Sequence, residues 1–104
     1  MIIKYANRKD EKILGNERKI KQYYGKHHKN LSIRLSELRA ANCLCEIPDV
    51  PPPRRHKLKG GYAKCWGIDI SANYRIIIEP SGTYSIDDLQ TINEIKILNI
   101  EDYH

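Results

Sequence analysis

The chain has 104 residues, of which 40% are hydrophobic and 30% charged, and its formal net charge is +5. This length and composition predict one soluble globular domain spanning residues 1–104 and exclude two separate cores. No segment approaches the roughly 20 consecutive apolar residues of a membrane span, and the N-terminus shows no signal-peptide pattern. We therefore expect a cytoplasmic protein with no membrane partner.

Positive charge is concentrated in the first part of the chain. Residues 1–64 hold 16 Lys/Arg and 6 Asp/Glu, a balance of +10, whereas residues 65–104 hold 2 and 7, a balance of −5. The first part could attract a polyanion, and the second could repel one or meet a basic partner. Solvated helices are also often rich in lysine, so charge alone leaves both interpretations open.

A short strand over residues 1–6 and two helices are predicted in the N-terminal half. The first helix covers about residues 10–24, although Gly15-Asn16 weakens its pattern, and the second covers roughly residues 26–41. Apolar residues recur on one stripe of each helix. These stripes consist of Ile13, Ile20 and Tyr24 in the first helix and of Leu31, Leu35 and Leu38 in the second.

The segment Cys43 to Pro53 connects the helices to the rest of the chain. Its three consecutive prolines predict a stiff extended crossing. The three cysteines are an odd number in a chain with no export signal, so we expect free thiols and no disulfide. The Cys43-x-Cys45 spacing is tighter than in structural zinc knuckles and lacks a paired second half, with only Cys65 remaining. We therefore expect no metal site.

The remainder is rich in strands. Strands are predicted at about residues 56–59, 64–70, 74–79 and 94–100, with a tight hairpin turn at Ser71-Ala72-Asn73. This order predicts an α+β fold in which both helices pack on one face of a mostly antiparallel sheet. Arg75 alternates with the core-facing residues and is predicted on the opposite, open face. The residues predicted to meet the helices are Trp66, Ile68, Ile70, Tyr74, Ile76 and Ile78.

Two polar stretches carry ionisable groups that could serve in catalysis. The run from Arg54 to Lys59 holds four cations and His56, and the chain stops at Asp102-Tyr103-His104 behind an apolar strand. Solvated basic strands and frayed tails are the ordinary alternatives. Cleavage of RNA through its 2′-hydroxyl needs a base, cations beside the phosphate and an acid for the departing 5′-oxygen, but no metal. Together, the two stretches and Arg75 supply these groups.

Several motifs of the C-terminal half resemble one family, the HigB branch of the RelE-like toxins, also described as plasmid maintenance system killer proteins. The resemblance covers roughly residues 54–104, and the two predicted N-terminal helices agree with it in length and pattern. The motifs are His56-x-Leu58-Lys59-Gly60, Trp66-x-Ile68, Asn73-Tyr74-Arg75-Ile76 with Glu79-Pro80, and Ile95-Lys96-Ile97-Leu98 followed by Glu101-Asp102-Tyr103-His104.

The resemblance implies a RelE-like fold with two N-terminal helices on one face of a small twisted sheet. It implies a type II toxin that inhibits translation by cutting mRNA in the ribosomal A site, without a cofactor. It also implies a HigA-type helix-turn-helix antitoxin as partner, with operator DNA contacted only through the toxin–antitoxin complex.

The resemblance also supplies the expected site residues. Those that match the family's catalytic positions are His56, Lys59, Arg75, Asp102, Tyr103 and His104. We expect His104 or Asp102 to assist removal of the 2′-proton and His56 to handle another proton transfer. Lys59 and Arg75 would offset phosphate charge, and Tyr103 could stack on a base. The neighbouring cations expected to bind RNA are Arg54, Arg55 and Lys57.

Two further functions stay open from the sequence. One is a catalytically degenerate toxin that only binds its antitoxin and co-represses their operator. The other is an RNase that needs no ribosome. Codon preference and the toxin–antitoxin stoichiometry do not follow from the sequence.

Overall fold

The computed structural model describes residues 1–102, so Tyr103 and His104 lie outside the described residues. Short 3₁₀ turns at residues 25–27, 44–46, 60–62 and 89–91 join the main elements. The main elements are β1 (Ile2–Tyr5), α1 (Arg8–Leu14), α2 (Glu17–Tyr24), α3 (His28–Ala40), β2 (His56–Lys57), β3 (Trp66–Asp69), β4 (Tyr74–Pro80) and β5 (Glu94–Asp102). None of these helices is long and apolar enough to cross a membrane.

The five strands form one mixed sheet in the order β1-β5-β4-β3-β2. Three of the four pairings are antiparallel, and β1 pairs with β5 in parallel. The α+β class and the mostly antiparallel sheet are therefore confirmed. The β3–β4 hairpin closes through residues 70–73 as predicted, with the Ile70 N–H donating to the Tyr74 carbonyl at 2.9 Å.

The predicted first helix is two helices. α1 ends at Leu14, Gly15 is its C-cap residue, and the side chain of Asn16 accepts a hydrogen bond from the Lys19 N–H at 3.2 Å. Asparagine at this position satisfies backbone donors that would otherwise lack a partner, so it starts a new helix. Residues 1–102 therefore contain three α-helices where the sequence predicted two.

The helices and the sheet share one hydrophobic core, which lies on one face of the sheet. The predicted apolar stripes contribute to it, and so do alternate residues of β3, β4 and β5. Its most buried members include Leu14, Ile20, Leu31, Leu35, Leu38, Trp66, Ile68, Ile76, Ile78, Ile95 and Ile97. A second, smaller cluster on the opposite face consists of Leu58, Cys65 and Ile77, with Tyr62 and Leu98 against it.

The connector differs from the prediction in two respects. The proline segment is a turn, because the Arg54 N–H donates to the Val50 carbonyl at 3.0 Å. Cys43 and Cys45 are joined by a disulfide, and only Cys65 is a free, buried thiol. The expectation of three free thiols was wrong because the 3₁₀ turn after Cys43 brings the two Cα atoms to 5.2 Å, within the range a disulfide spans.

A β-bulge in β5 decides which face its last residues occupy. Ile77 is opposite Asn99 while Ile78 is opposite Ile97, so Leu98 is the extra residue. A bulge of one residue reverses the alternation of side chains beyond it. Asp102 is consequently in register with Tyr74, on the helix side of the sheet.

Candidate active site on the open face

The open face is the side of the sheet that faces away from the helices. One cross-strand row on it runs from His56 through Gly67 and Ile77 to Asn99. The next row holds Asp69, Arg75 and Glu101 and lies two residues further along the strands, about 7 Å away. The sheet thus brings His56 and Arg75 to one surface, as the alternation of β4 predicted for Arg75.

The His56 ring is held by the backbone on two sides. Its Nδ1 lies 2.7 Å from the Arg54 carbonyl oxygen. Its Cε1 and Nε2 lie 2.9 Å from where a Cβ on Gly67 would be, so only glycine leaves room for the ring. A carbonyl oxygen only accepts hydrogen bonds, so in the neutral ring Nδ1 carries the proton and Nε2 carries the lone pair. His56 is therefore set up to accept a proton at Nε2.

Arg54 supplies that carbonyl from a special backbone conformation. Its φ is 42°, in the left-handed region that non-glycine residues seldom adopt. Its side chain forms a two-pronged ion pair with Asp69, with Nε 2.6 Å from Oδ2 and Nη2 3.3 Å from Oδ1. The guanidinium predicted to bind RNA is thus engaged with a carboxylate of the neighbouring strand.

Arg75 is also in an ion pair. Its Nη2 lies 2.9 Å from Glu101 Oε1, and 16% of the Arg75 side chain is exposed. Asp69 and Glu101 are its direct cross-strand neighbours on both sides. The row therefore alternates in charge, and a phosphate that reaches Arg75 has to compete with the Glu101 carboxylate.

The other predicted cations of this segment take different positions. Lys59 is exposed and is the last extended residue before the turn at Gly60, whose φ is 64°. Arg55 donates from Nε to the Ile47 carbonyl at 2.8 Å. Lys57 faces the helix side, where its ammonium lies 5.0 Å from the Trp66 ring centroid. The structure does not bring Lys57 together with His56.

The C-terminal group is only partly described. Asp102 is exposed and is in register with Tyr74, whose ring centroid is 4.2 Å from that of His27 on the helix side. The bulge at Leu98 therefore separates Asp102 from the face that carries His56. Tyr103 and His104, the other two predicted catalytic residues of this group, lie outside the described residues.

Three residues of the site were not predicted from the sequence. A glycine within a strand signals close approach of another group, so Gly67 between Trp66 and Ile68 carried a usable signal. Asp69 and Glu101 carried none, because their roles depend on cross-strand register.

Two cavities of the described part of the chain lie away from His56. A cavity of about 330 Å³ is lined by α1, α2 and α3, and one of about 370 Å³ by the end of α3 and the connector; His56 lines neither. Within residues 1–102, no three His, Cys, Asp or Glu side chains gather as metal ligands.

Comparison with known proteins gives a match in structure only. No protein-family model and no curated protein sequence matches the chain. A YoeB/ParE toxin from Agrobacterium tumefaciens is similar over 100% of both chains, with a TM-score of 0.59 and 12% identity. A YoeB–YefM complex from Staphylococcus aureus is similar over 100% of this chain and 97% of that chain, with a TM-score of 0.55 and 16% identity. The chain therefore has the fold of the YoeB/ParE toxins.

Proposed function

We propose that this protein is the toxin of a type II toxin–antitoxin system and cleaves mRNA on the ribosome. The observation that carries the proposal is that His56 and Arg75 lie on the same open face of the sheet, with His56 Nδ1 2.7 Å from the Arg54 carbonyl oxygen. In the neutral ring this contact leaves the lone pair on Nε2. The fold shared with a YoeB/ParE toxin and with a YoeB–YefM complex supports the same function.

The proposed reaction is an attack of the 2′-oxygen on the adjacent phosphorus. The O2′–P bond forms and the P–O5′ bond breaks, which leaves a 2′,3′-cyclic phosphate and a 5′-hydroxyl. A base takes the 2′-proton and an acid gives a proton to O5′. Cations offset the charge that builds on the non-bridging oxygens. No metal is needed for any of these transfers.

We assign one proton transfer to His56 through Nε2, and charge stabilisation to Arg75 and Lys59. The second proton transfer goes to His104, and Tyr103 stacks on a base, on the strength of the resemblance. Arg55 is the remaining cation proposed to contact RNA. We assign no phosphate contact to Asp102 or Lys57, because both are in register with residues of the helix side.

The finer identity of the toxin also belongs to the proposal. We propose the HigB branch, the ribosomal A site as the place of cleavage and a HigA-type helix-turn-helix antitoxin as the partner, which carries the complex to operator DNA. The motifs of residues 54–104 support the branch. The fold supports the wider class of toxins and an antitoxin partner.

The test uses purified protein and a defined mRNA in a reconstituted translation reaction. We expect cleavage at discrete positions with ribosomes and at least a hundredfold less on naked RNA. A 2′-deoxy substitution at the cleaved nucleotide should abolish the cut, and His104→Ala should relieve growth arrest on expression. Equal cleavage of naked RNA would replace the proposal with a ribosome-independent RNase. Cleavage that survives the 2′-deoxy substitution would refute the mechanism.

A second candidate, an antitoxin-binding module without catalysis, is favoured by one observation. Two arginines at the open face are in ion pairs with carboxylates of the same sheet, Arg54 with Asp69 and Arg75 with Glu101. If these pairs persist on the ribosome, the phosphate meets less positive charge. This candidate predicts intact mRNA, a tight complex with the antitoxin and a shift of operator DNA by that complex.

A further inference from the structure

We propose that Asp69 and Arg54 are positioning residues that fix the tautomer of His56. The consequence for cleavage rests on the proposed function, whereas the effect on the imidazole does not. The ion pair sets the Arg54 backbone, the Arg54 carbonyl sets the proton on Nδ1, and this leaves Nε2 as the basic nitrogen.

The peptide group between Pro53 and Arg54 is held at both of its polar atoms. The Arg54 N–H donates to the Val50 carbonyl at 3.0 Å, and the Asp69 N–H donates to the Pro53 carbonyl at 2.7 Å. Arg54 itself has a φ of 42°. A non-glycine residue stays in this region only where the surrounding structure imposes it. The contacts between this turn and β3 are therefore what maintain the Arg54 conformation.

The ion pair between Arg54 and Asp69 fixes the orientation of the turn in addition to these backbone contacts. The Arg54 guanidinium meets both carboxylate oxygens of Asp69, at 2.6 and 3.3 Å. The Asp69 side chain is 13% exposed, so the pair is shielded on the carboxylate side. A fork-shaped contact fixes orientation as well as distance, which a lysine ammonium does not do. Asp69 thus ties the connector turn to β3 two residues beyond Gly67.

The main-chain carbonyl of Arg54 connects the ion pair to His56. The Arg54 oxygen lies 2.7 Å from His56 Nδ1, and the ring rests against Gly67. In the neutral ring this contact requires a proton on Nδ1. After Nε2 has accepted a proton, the same carbonyl still accepts from Nδ1, so the ring can take up and return a proton at Nε2 without turning. The pair therefore acts on proton transfer without touching the substrate.

Positioning and RNA binding make different predictions for Arg54. An RNA contact would be weakened by loss of charge, and the effect would depend on salt. A positioning role predicts that Arg54→Lys, which keeps the charge and loses the fork, still disturbs His56. It also predicts that Asp69→Asn has the same effect, although this change makes the surface more positive.

The experiment reads the His56 ring directly by ¹⁵N–¹H correlation NMR on the full chain. We expect wild type above pH 8 to show one neutral tautomer with its proton on Nδ1. Asp69→Asn and Arg54→Lys should give a mixture of tautomers at His56. Glu94→Gln, which removes the carboxylate of another ion pair at the far end of the sheet, should leave His56 unchanged. Circular dichroism checks that each variant is folded at the temperature used.

The same variants are then compared in single-turnover cleavage of ribosome-bound mRNA. We expect Asp69→Asn to slow cleavage about tenfold or more, with a changed pH profile. An unchanged His56 tautomer in folded Asp69→Asn, or a proton on Nε2 in wild type, would overturn the proposal. A changed tautomer with an unchanged cleavage rate would overturn its consequence for catalysis. Absence of cleavage by wild type would refute the proposed function and leave the NMR result to decide the positioning role.

Discussion

The imidazole of His56 occupies the space that a side chain on Gly67 would need. Two of its ring atoms, Cε1 and Nε2, lie 2.9 Å from the ideal Cβ position, and Leu58 Cδ2 lies 3.3 Å from it. Real Cβ atoms do not approach other heavy atoms this closely, so the two residues depend on each other. The nitrogen proposed to exchange the proton is therefore placed by a residue that has no side chain.

Gly67→Ala should displace the His56 ring and lower the cleavage rate by about 10- to 100-fold, because small misplacements of a catalytic group are costly. The matched control is Gly61→Ala, since a Cβ at Gly61 meets nothing within 4 Å. The measurement is single-turnover cleavage of ribosome-bound mRNA by both variants. Wild-type activity of Gly67→Ala would show that the position of the ring does not matter.

Arg75→Ala should reduce cleavage by about 10²- to 10³-fold, because it removes the cation proposed to stabilise the phosphate in the transition state. Arg75→Lys should retain part of the rate, since it keeps the charge and loses the planar fork. Both are measured as the cleavage rate at saturating enzyme. Equal cleavage rates for Arg75→Ala and wild type would show that Arg75 does not stabilise the transition state.

The buried thiol should be unreactive in the folded protein. Burial, and after it the Glu79 carboxylate, raises the pKa of the Cys65 thiol, and Lys57 offsets only part of that increase. The thiol is therefore protonated at neutral pH, and the thiolate is the reactive form. Without reductant, native protein should resist iodoacetamide at pH 7.5 and take up one label in urea, as read by mass spectrometry. Rapid native labelling of Cys65 would contradict its burial.

Acid should remove a stabilising contact at the start of β5. The Ser81 hydroxyl, 2.8 Å from Oε2, and then Lys4 hold the pKa of the Glu94 carboxyl below its usual range, although burial works against them. A carboxyl with a lowered folded-state pKa stabilises the protein above its unfolded-state pKa of about 4.3 and loses this effect as pH falls.

Glu94→Gln should therefore lower the free energy of unfolding at pH 7, and the difference from wild type should shrink below about pH 4. Urea unfolding at both pH values measures this. Asp87→Asn is the control, an exposed carboxylate in the preceding loop. A difference between Glu94→Gln and wild type that stays constant from pH 7 to pH 3 would contradict the lowered pKa.

The sequence predicted the layers of the fold because buried apolar residues recur with the period of a helix or a strand. The leucines of the α3 stripe and the alternate apolar residues of β3 and β4 are buried in the main core, as predicted. The break between α1 and α2 was missed because the apolar stripe continues across it. The prediction gave the stripe more weight than the capping residues. Asn16 and Gly15 carried that information, and the predicted helix ran through them.

The arrangement of the site depends on the register between neighbouring strands, which is not evident from the sequence. The last strand has apolar residues at positions 95, 97, 98 and 100, which breaks strict alternation at the bulge residue Leu98. Regular alternation would have placed Asp102 on the open face. Likewise, the contact between His56 and Gly67 exists only because β2 and β3 pair in one register. The face that carries Arg75 was predicted from alternation, whereas the contacts of His56 and the side of the sheet that Asp102 occupies were not.

The central claim is that His56 transfers a proton during cleavage of mRNA, and one matched pair of variants tests it most directly. His28 also has its Nδ1 against a main-chain carbonyl, at 2.8 Å from Gly25, but it lies at the start of α3. We predict that His56→Gln lowers single-turnover cleavage of ribosome-bound mRNA by about 10²- to 10⁴-fold while His28→Gln cleaves like wild type. Equal cleavage by the two folded variants would contradict the account.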